Sequence, residues 1–318
     1  MKYLITGGAG FIGGHLVEAL ISDGHQVTVV DDLSTGSEKN LAKFANSPLL
    51  DFVKGNILDL PELDYLVSKS DMVFHLAAAV GVELVVRDPV LTIKTNVHGT
   101  ERVLGAARRK NTRVLITSTS EVYGKSAKGK FSENDDLLIG QPKNSRWSYA
   151  SSKLLDEFLA MAYHRSMNMP VIVVRLFNTV GPRQTGQYGM VVPRFISNAL
   201  AGKNIEIYGT GTQTRCFCHV SDTVRALRSL SENTAAIGEV FNIGSTEEIS
   251  IEDLAKKIKT RIKSRSKLAH IPYDKAYETG FEDMMRRVPD ISKIKSLTGW
   301  QPKLGLDRII DDVVKSLK

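Results

Sequence analysis

Thr6-Gly7-Gly8-Ala9-Gly10-Phe11-Ile12-Gly13 follows the apolar run Tyr3-Leu4-Ile5 at the start of a 318-residue chain. Glycines at 7, 10 and 13 permit a tight turn, a close backbone approach to a pyrophosphate, and close packing of the helix that follows. The helix N-terminus then offers its free N–H groups to the phosphates. A glycine triplet alone is a weak signal. Here it lies between a strand and a helix, which is the context that a dinucleotide site requires.

The next strand-like run ends at Val30-Asp31, about 20 residues past the glycines. A carboxylate there accepts hydrogen bonds from the adenosine ribose 2′-hydroxyl and repels a 2′-phosphate, so the expected cofactor is NAD rather than NADP. Strands are expected at Tyr3–Thr6, Gln26–Asp31, Leu50–Lys54, Met72–Leu76, Arg113–Ser118 and Val171–Leu176. Helical periodicity fills the intervals, notably Ile12–Ser22, Val90–Arg109 and Tyr149–Ser166. Strands alternating with helices of this length predict right-handed crossovers and an α/β, Rossmann-type doubly wound parallel sheet. Beyond about Asn178 the pattern loosens. The expected division is an NAD-binding domain over 1–177, to which 219–247 return, and a smaller, interleaved C-terminal substrate lobe over 178–318.

A second unusual stretch is Ser118-Thr119-Ser120-Glu121-Val122-Tyr123-Gly124, where hydroxyls and a carboxylate crowd the end of a strand. Tyr149 follows, with Lys153 four residues on, so that both share one helix face. A tyrosine with a solution pKa of about 10 is a poor base near neutrality. A nearby ammonium favours its phenolate. Thr119 could then hold a substrate hydroxyl while Tyr149 removes its proton and hydride leaves for NAD.

Composition narrows the alternatives. With 42% hydrophobic and 24% charged residues, the chain reads as an ordinary globular protein. No apolar run approaches the roughly 18 residues of a membrane span, and the start of the chain does not read as a signal peptide, so no membrane role is expected. The two cysteines, Cys216 and Cys218, suit neither a disulfide framework nor a zinc site, and no metal is expected. A reducing cytoplasm fits. The net charge of +7 equals the seven basic groups of residues 256–267, KKIKTRIKSRSK. That run extends a helical pattern without interleaved aromatics, so it reads as a solvated helix face and no nucleic-acid partner is expected.

These motifs resemble the extended short-chain dehydrogenase/reductase superfamily, in particular its NAD-dependent nucleotide-sugar epimerases, dehydratases and decarboxylases. The resemblance runs over nearly the whole chain through TGGAGFIG, VVDDLSTG, HLAA (75–78), TNVHGT (95–100), STSEVYG, YASSK, RLFNTVGPR (175–183), YGTGTQTRCFCHVSD (208–222) and GWQP (299–302). It implies catalytic roles for Thr119, Tyr149 and Lys153, with Ser120 and Glu121 beside them. It implies cofactor contacts from Gly7, Gly10, Phe11, Ile12, Gly13, Asp31, Asp32, Ile57, Leu76, Ala77, Ala78, Asn96 and Lys153. Asn56 stands where relatives often carry an aspartate beside the adenine; its amide can still hydrogen-bond there. It also implies a homodimer through helices matching Val90–Arg109 and Tyr149–Ser166.

The resemblance further implies a UDP-sugar substrate, with Asn178 and Arg215 on the pyrophosphate and Tyr208 beside the uracil ring. Arg194 and Arg287 are candidates for a carboxylate at C6, which points to UDP-glucuronate. Oxidation at C4 of a glucuronate gives a β-keto acid that loses carbon dioxide readily. An epimerase must hold the carboxylate out of alignment, whereas a decarboxylase must align it. Residues 175–195 resemble the 4-epimerases more, and Glu121 resembles the decarboxylases. The expectation is C4 epimerisation, UDP-glucuronate favoured over UDP-glucose or UDP-N-acetylglucosamine, with UDP-glucuronate decarboxylation as the alternative. Dehydration ranks lower because Ser120-Glu121 replaces the usual Asp-Glu. A non-enzymatic NAD sensor is disfavoured, since such proteins typically lose the Tyr/Lys pair.

Overall fold

Runs of Val and Ile that are buried on both faces form the centre of the molecule, as a parallel sheet covered by helices requires. The computed structural model describes residues 1–81, 85, 88–185, 190–273 and 284–318. Its strands are β1 (Lys2–Thr6), β2 (Gln26–Asp31), β3 (Leu50–Lys54), β4 (Met72–His75), β5 (Arg113–Thr119), β6 (Val171–Leu176), β7 (Thr179–Val180), β8 (Ile205–Tyr208), β9 (Thr214–Cys216), β10 (Cys218–His219), β11 (Glu239–Ile243), β12 (Glu248–Ser250) and β13 (Leu268–Ile271). A seven-stranded sheet runs β11-β6-β5-β4-β1-β2-β3, and every pairing in it is parallel. The order reverses between β1 and β4, and ligands bind such sheets outside the carboxyl ends of the strands at that switch point.

Helices α1 (Phe11–Ser22), α6 (Val220–Ser231) and α8 (Ser292–Thr298) cover one face of the sheet. Helices α2 (Leu63–Ser68), α3 (Pro89–Arg108) and α4 (Trp147–Met167) cover the other. The smaller lobe has its own core, built from α5 (Val191–Leu200), α7 (Ile251–Ile262), α9 (Leu306–Leu317) and β8. Its short pairings are β7 with β10, β9 with β12, and β8 with β13.

The basic run at 256–267 ends its helix at Ile262, where Lys263 is left-handed. Lys257 pairs with Asp307 at 2.8 Å and Arg261 with Asp311 at 2.5 Å, so acids of α9 neutralise part of that face. Among the described residues, no helix is long and apolar enough to cross a membrane.

Candidate functional site

The first βα turn is shaped for a close visitor. Gly7 has φ +73, and a Cβ there would lie 2.7 Å from the Ala77 backbone nitrogen. A Cβ on Gly13 would meet the Gly7 carbonyl oxygen at 2.2 Å. Any side chain at either position would fill the cradle or push the helix off the sheet. Asp31 stands beside this turn, with Oδ2 accepting from Ala9 N at 2.9 Å and Oδ1 from Leu33 N at 2.8 Å. Burial nevertheless raises its pKa, partly offset by those two bonds. Asn56 donates to Asp32 at 3.0 Å, so the asparagine that departs from the family pattern is tied to the second carboxylate of this corner.

Two strands away along the same carboxyl edge of the sheet, β5 passes directly into a short 3₁₀ helix, Ser120–Tyr123. Thr119 caps that helix by accepting a hydrogen bond from Glu121 N at 3.2 Å. Gly124 ends it at φ +59, where a Cβ would sit 2.2 Å from the Leu138 carbonyl oxygen. The crowded hydroxyls of this strand end thus separate by role. Ser118 points back to donate to Glu157, which Arg175 grips through two nitrogens at 3.0 and 2.8 Å. Ser118 still borders the cleft, together with Thr119, Ser120 and Glu121.

Helix α4 begins beside this turn, which brings Tyr149 to Thr119. A hydrogen bond joins their hydroxyls. Burial, then the charges of Glu121 and Asp156, raise the Tyr149 pKa; Arg287 and the Thr119 bond oppose the rise. One turn on, Lys153 is buried and its Nζ donates to Asp156 at 2.7 Å. His75 lies nearby on β4, bonded to Thr6 at 2.7 Å and Thr100 at 3.1 Å. Burial and the Lys153 charge push it down to about 3, so it stays neutral.

The arginines sort into two groups. Arg287 Nη1 lies 3.4 Å from Glu121 Oε1, and Arg146 Nη2 lies 4.0 Å from Glu121 Oε2. Arg287 also donates to Asn178 Oδ1 at 2.7 Å, while Asn178 donates to the Cys216 carbonyl at 3.0 Å. Arg194 instead stacks over the Tyr208 ring at 4.0 Å and donates to the Glu206 carbonyl at 3.2 Å. It therefore stands with Tyr208, whereas among the described residues Glu121 has its ion pairs with Arg146 and Arg287. Arg215, on β9, donates to the Thr214 carbonyl at 2.8 Å.

One cleft of 840 Å³ joins the glycine turn, Asp31, Asp32, Asn56, Ile57 and the Leu76–Ala78 segment to Thr119, Tyr149 and the arginines. Lys153 and Asn96 stand behind its wall. Asn96 accepts from Ala79 N at 2.8 Å and donates to Ser152 at 3.0 Å, bracing that segment against α4. Arg146 was missed by sequence reasoning. Its signal was its place three residues before Tyr149, on the same helix start.

Residues 4–313 match the family described as GDP-mannose 4,6 dehydratase. The chain belongs to that family. Within it, the chain is 42% identical to a UDP-N-acetyl-alpha-D-glucosaminuronate decarboxylase of Bacillus cytotoxicus, over 99% of this chain and 97% of that one. It is 38% identical to UDP-glucuronic acid decarboxylase 6 of Arabidopsis thaliana, over 96% of this chain and 85% of the relative. Among solved structures, a UDP-glucuronic acid 4-epimerase from Bacillus cereus, in complex with UDP-glucuronic acid and NAD, superposes with a TM-score of 0.90 at 28% identity. That likeness covers 100% of this chain and 99% of the other. The family member described here is thus an enzyme of nucleotide-sugar chemistry on a Rossmann-type sheet, and the two curated relatives named here are decarboxylases, the alternative reading, where the expectation was an epimerase.

Proposed function

We propose that this enzyme uses NAD to decarboxylate a UDP-linked hexuronate. The observation that carries this reading is Glu121 set between Arg146 and Arg287 beside the Thr119–Tyr149 pair. The decarboxylase relatives support it. NAD, when bound, accepts hydride from C4 of the sugar and later returns it. The glycine cradle and the Asp31 carboxylate fit its pyrophosphate and adenosine ribose.

The chain's own residues supply the rest. Tyr149 takes the proton of the C4 hydroxyl, and Thr119 holds that oxygen in place. Lys153 keeps a positive charge close to the phenol. Once C4 is a ketone, the C5–C6 bond breaks. Its electron pair passes to the C4 oxygen, and carbon dioxide leaves. The protonated Tyr149 and Thr119 donate to the enolate oxygen as charge develops there. C5 regains a proton from a water that the Glu121 carboxylate orients, with Arg287 fixing that carboxylate. Asn178 and Arg215 are assigned to the pyrophosphate, and Tyr208, with Arg194 stacked on it, to the uracil.

Incubation with UDP-glucuronate and with UDP-N-acetylglucosaminuronate, followed by NMR, tests the reaction. A UDP-pentose or its N-acetylamino counterpart, with one carbon dioxide per sugar, is expected. The second reading, C4 epimerisation, is favoured by the likeness to the Bacillus cereus enzyme. A six-carbon uronate with inverted C4 and no carbon dioxide would select it.

We also propose a homodimer through α3 and α4, which pack against each other. Val90 (61% exposed) and Ile93 on α3, and Leu155 and Phe158 (60% exposed) on α4, leave apolar surface uncovered. Phe158→Lys should convert a dimer to a monomer in size-exclusion chromatography with light scattering, since it buries a charge at the contact. A wild-type protein that already elutes as a monomer would refute the interface.

A further inference from the structure

We propose that Tyr123 is a positioning residue which, together with Asn242, fixes the Glu121 carboxylate against Arg287. This rests on the decarboxylase reading and deepens it. Tyr123 is fully buried and outside the lining of the cleft, so it acts on the chemistry only through Glu121. Glu121 belongs to the turn Ser120–Tyr123, whereas Arg287 enters from the distant segment that continues through Val288 and Asp290. Their 3.4 Å ion pair is only as well placed as the structure that joins those two segments.

Asn242 on β11 is that junction. The Tyr123 hydroxyl accepts from Arg175 Nη1 at 3.0 Å and donates to Asn242 Oδ1 at 2.8 Å. The direction is forced, because a guanidinium can only donate and the phenol proton must go to Asn242. The amide nitrogen of Asn242 then donates to the Phe131 carbonyl at 2.9 Å and to the Asp290 carbonyl at 3.2 Å. Phe131 N donates to the Val288 carbonyl at 2.9 Å, and Asp290 N to the Phe131 carbonyl at 2.8 Å. Hydrogen bonds therefore run unbroken from the Glu121 turn, through Asn242, to the segment that follows Arg287.

Apolar packing alone does not fix this geometry. Tyr123 stacks on Phe131 with 4.7 Å between ring centres, and Phe177 and Met284 join the same cluster. Stacked rings can slide in their planes, whereas a satisfied buried network specifies one arrangement. Tyr123 and Asn242 are both fully buried, where a polar group left unpaired is costly. Arg175 is held in turn by Glu157 of α4 at 3.0 and 2.8 Å. Because α4 also carries Tyr149, the same junction refers the Glu121 turn to the proton acceptor.

The test is a double-mutant cycle of Tyr123→Phe and Glu121→Ala. Turnover is followed with UDP-glucuronate or UDP-N-acetylglucosaminuronate, whichever the wild-type protein converts faster. Tyr123→Phe keeps the ring stack and should lower kcat by about 10- to 100-fold, the scale of a misplacement near 1 Å. KM should stay within about two-fold, because the lost hydroxyl touches no ligand. In Glu121→Ala, with no carboxylate left to place, adding Tyr123→Phe should cost less than about two-fold more. Equal losses in both backgrounds would overturn the proposal, since a general loosening of the fold acts whatever stands at position 121. An unchanged kcat in either single variant would overturn it as well. If Tyr123→Phe does not fold, Asn242→Ser is judged by the same cycle. Carbon dioxide release by the wild-type protein separates the two levels. Its absence defeats the decarboxylase reading, whereas its presence with additive losses defeats only the role of Tyr123.

Discussion

Tyr149→Phe should lower turnover of the UDP-hexuronate by about 10²- to 10⁴-fold, the usual contribution of a positioned acid–base group. The phenol hydroxyl is all that is removed; the ring still fills its place beside Thr119 at the start of α4. Affinity for NAD and for UDP should therefore stay close to wild type in calorimetry. The surroundings set the pH dependence. Burial and the charges of Glu121 and Asp156 hold the Tyr149 proton on, so its folded pKa lies above the ordinary value for tyrosine. The competent phenolate then grows as pH rises, and wild-type kcat/KM should climb toward alkaline pH. In Tyr149→Phe that limb should vanish and leave a flat residual rate. Near-wild-type turnover, or a retained limb, would remove Tyr149 from the chemistry.

The parts legible in the sequence are those fixed by local pattern. All six predicted Rossmann strands match within one residue at each end, because buried β-branched runs and the turns between them are short-range signals. Arg113–Ser118, for example, extends by one residue to Thr119. The glycine turn, Asp31 and the Thr119–Tyr149 pair were legible because their spacing is tied to particular strand and helix ends. Partners that meet only through the tertiary fold were not. Nothing local says that Arg146 and Arg287, far apart in the chain, converge on Glu121. Nor does it say that Arg194, expected near C6, lies flat on Tyr208. In the proposed reading, the choice between epimerase and decarboxylase turns on that convergence. Similar strand-end motifs serve both reactions, and the difference lies in which charges surround C5 and C6.

Lys153→Met should destabilise the fold by about 3–5 kcal/mol, the range for breaking a buried ion pair from one side. Lys153 and Asp156 have side-chain exposures of 2% and 0%, with 2.7 Å between Nζ and Oδ2. Methionine matches the length of the lysine stem closely enough that lost packing contributes little. The cost arises at Asp156, whose pKa burial already raises and which Lys153 opposes most strongly. Without the ammonium, that folded pKa rises further. A carboxyl with a raised folded pKa is stabilised relative to the unfolded chain only when protonated. The penalty should thus be fully developed above the new folded pKa and shrink as pH falls through it. Urea denaturation at several pH values measures this directly. A second substitution, Asp156→Leu, removes the orphaned charge and should recover most of the loss, since apolar residues of similar volume often replace a buried pair without penalty. Activity should not return in the double variant, because the charge proposed to act on Tyr149 is still missing. That separation of stability from turnover distinguishes a lysine that tunes the phenol from one that only braces α4 internally. Recovery of both together would assign Lys153 to structure alone.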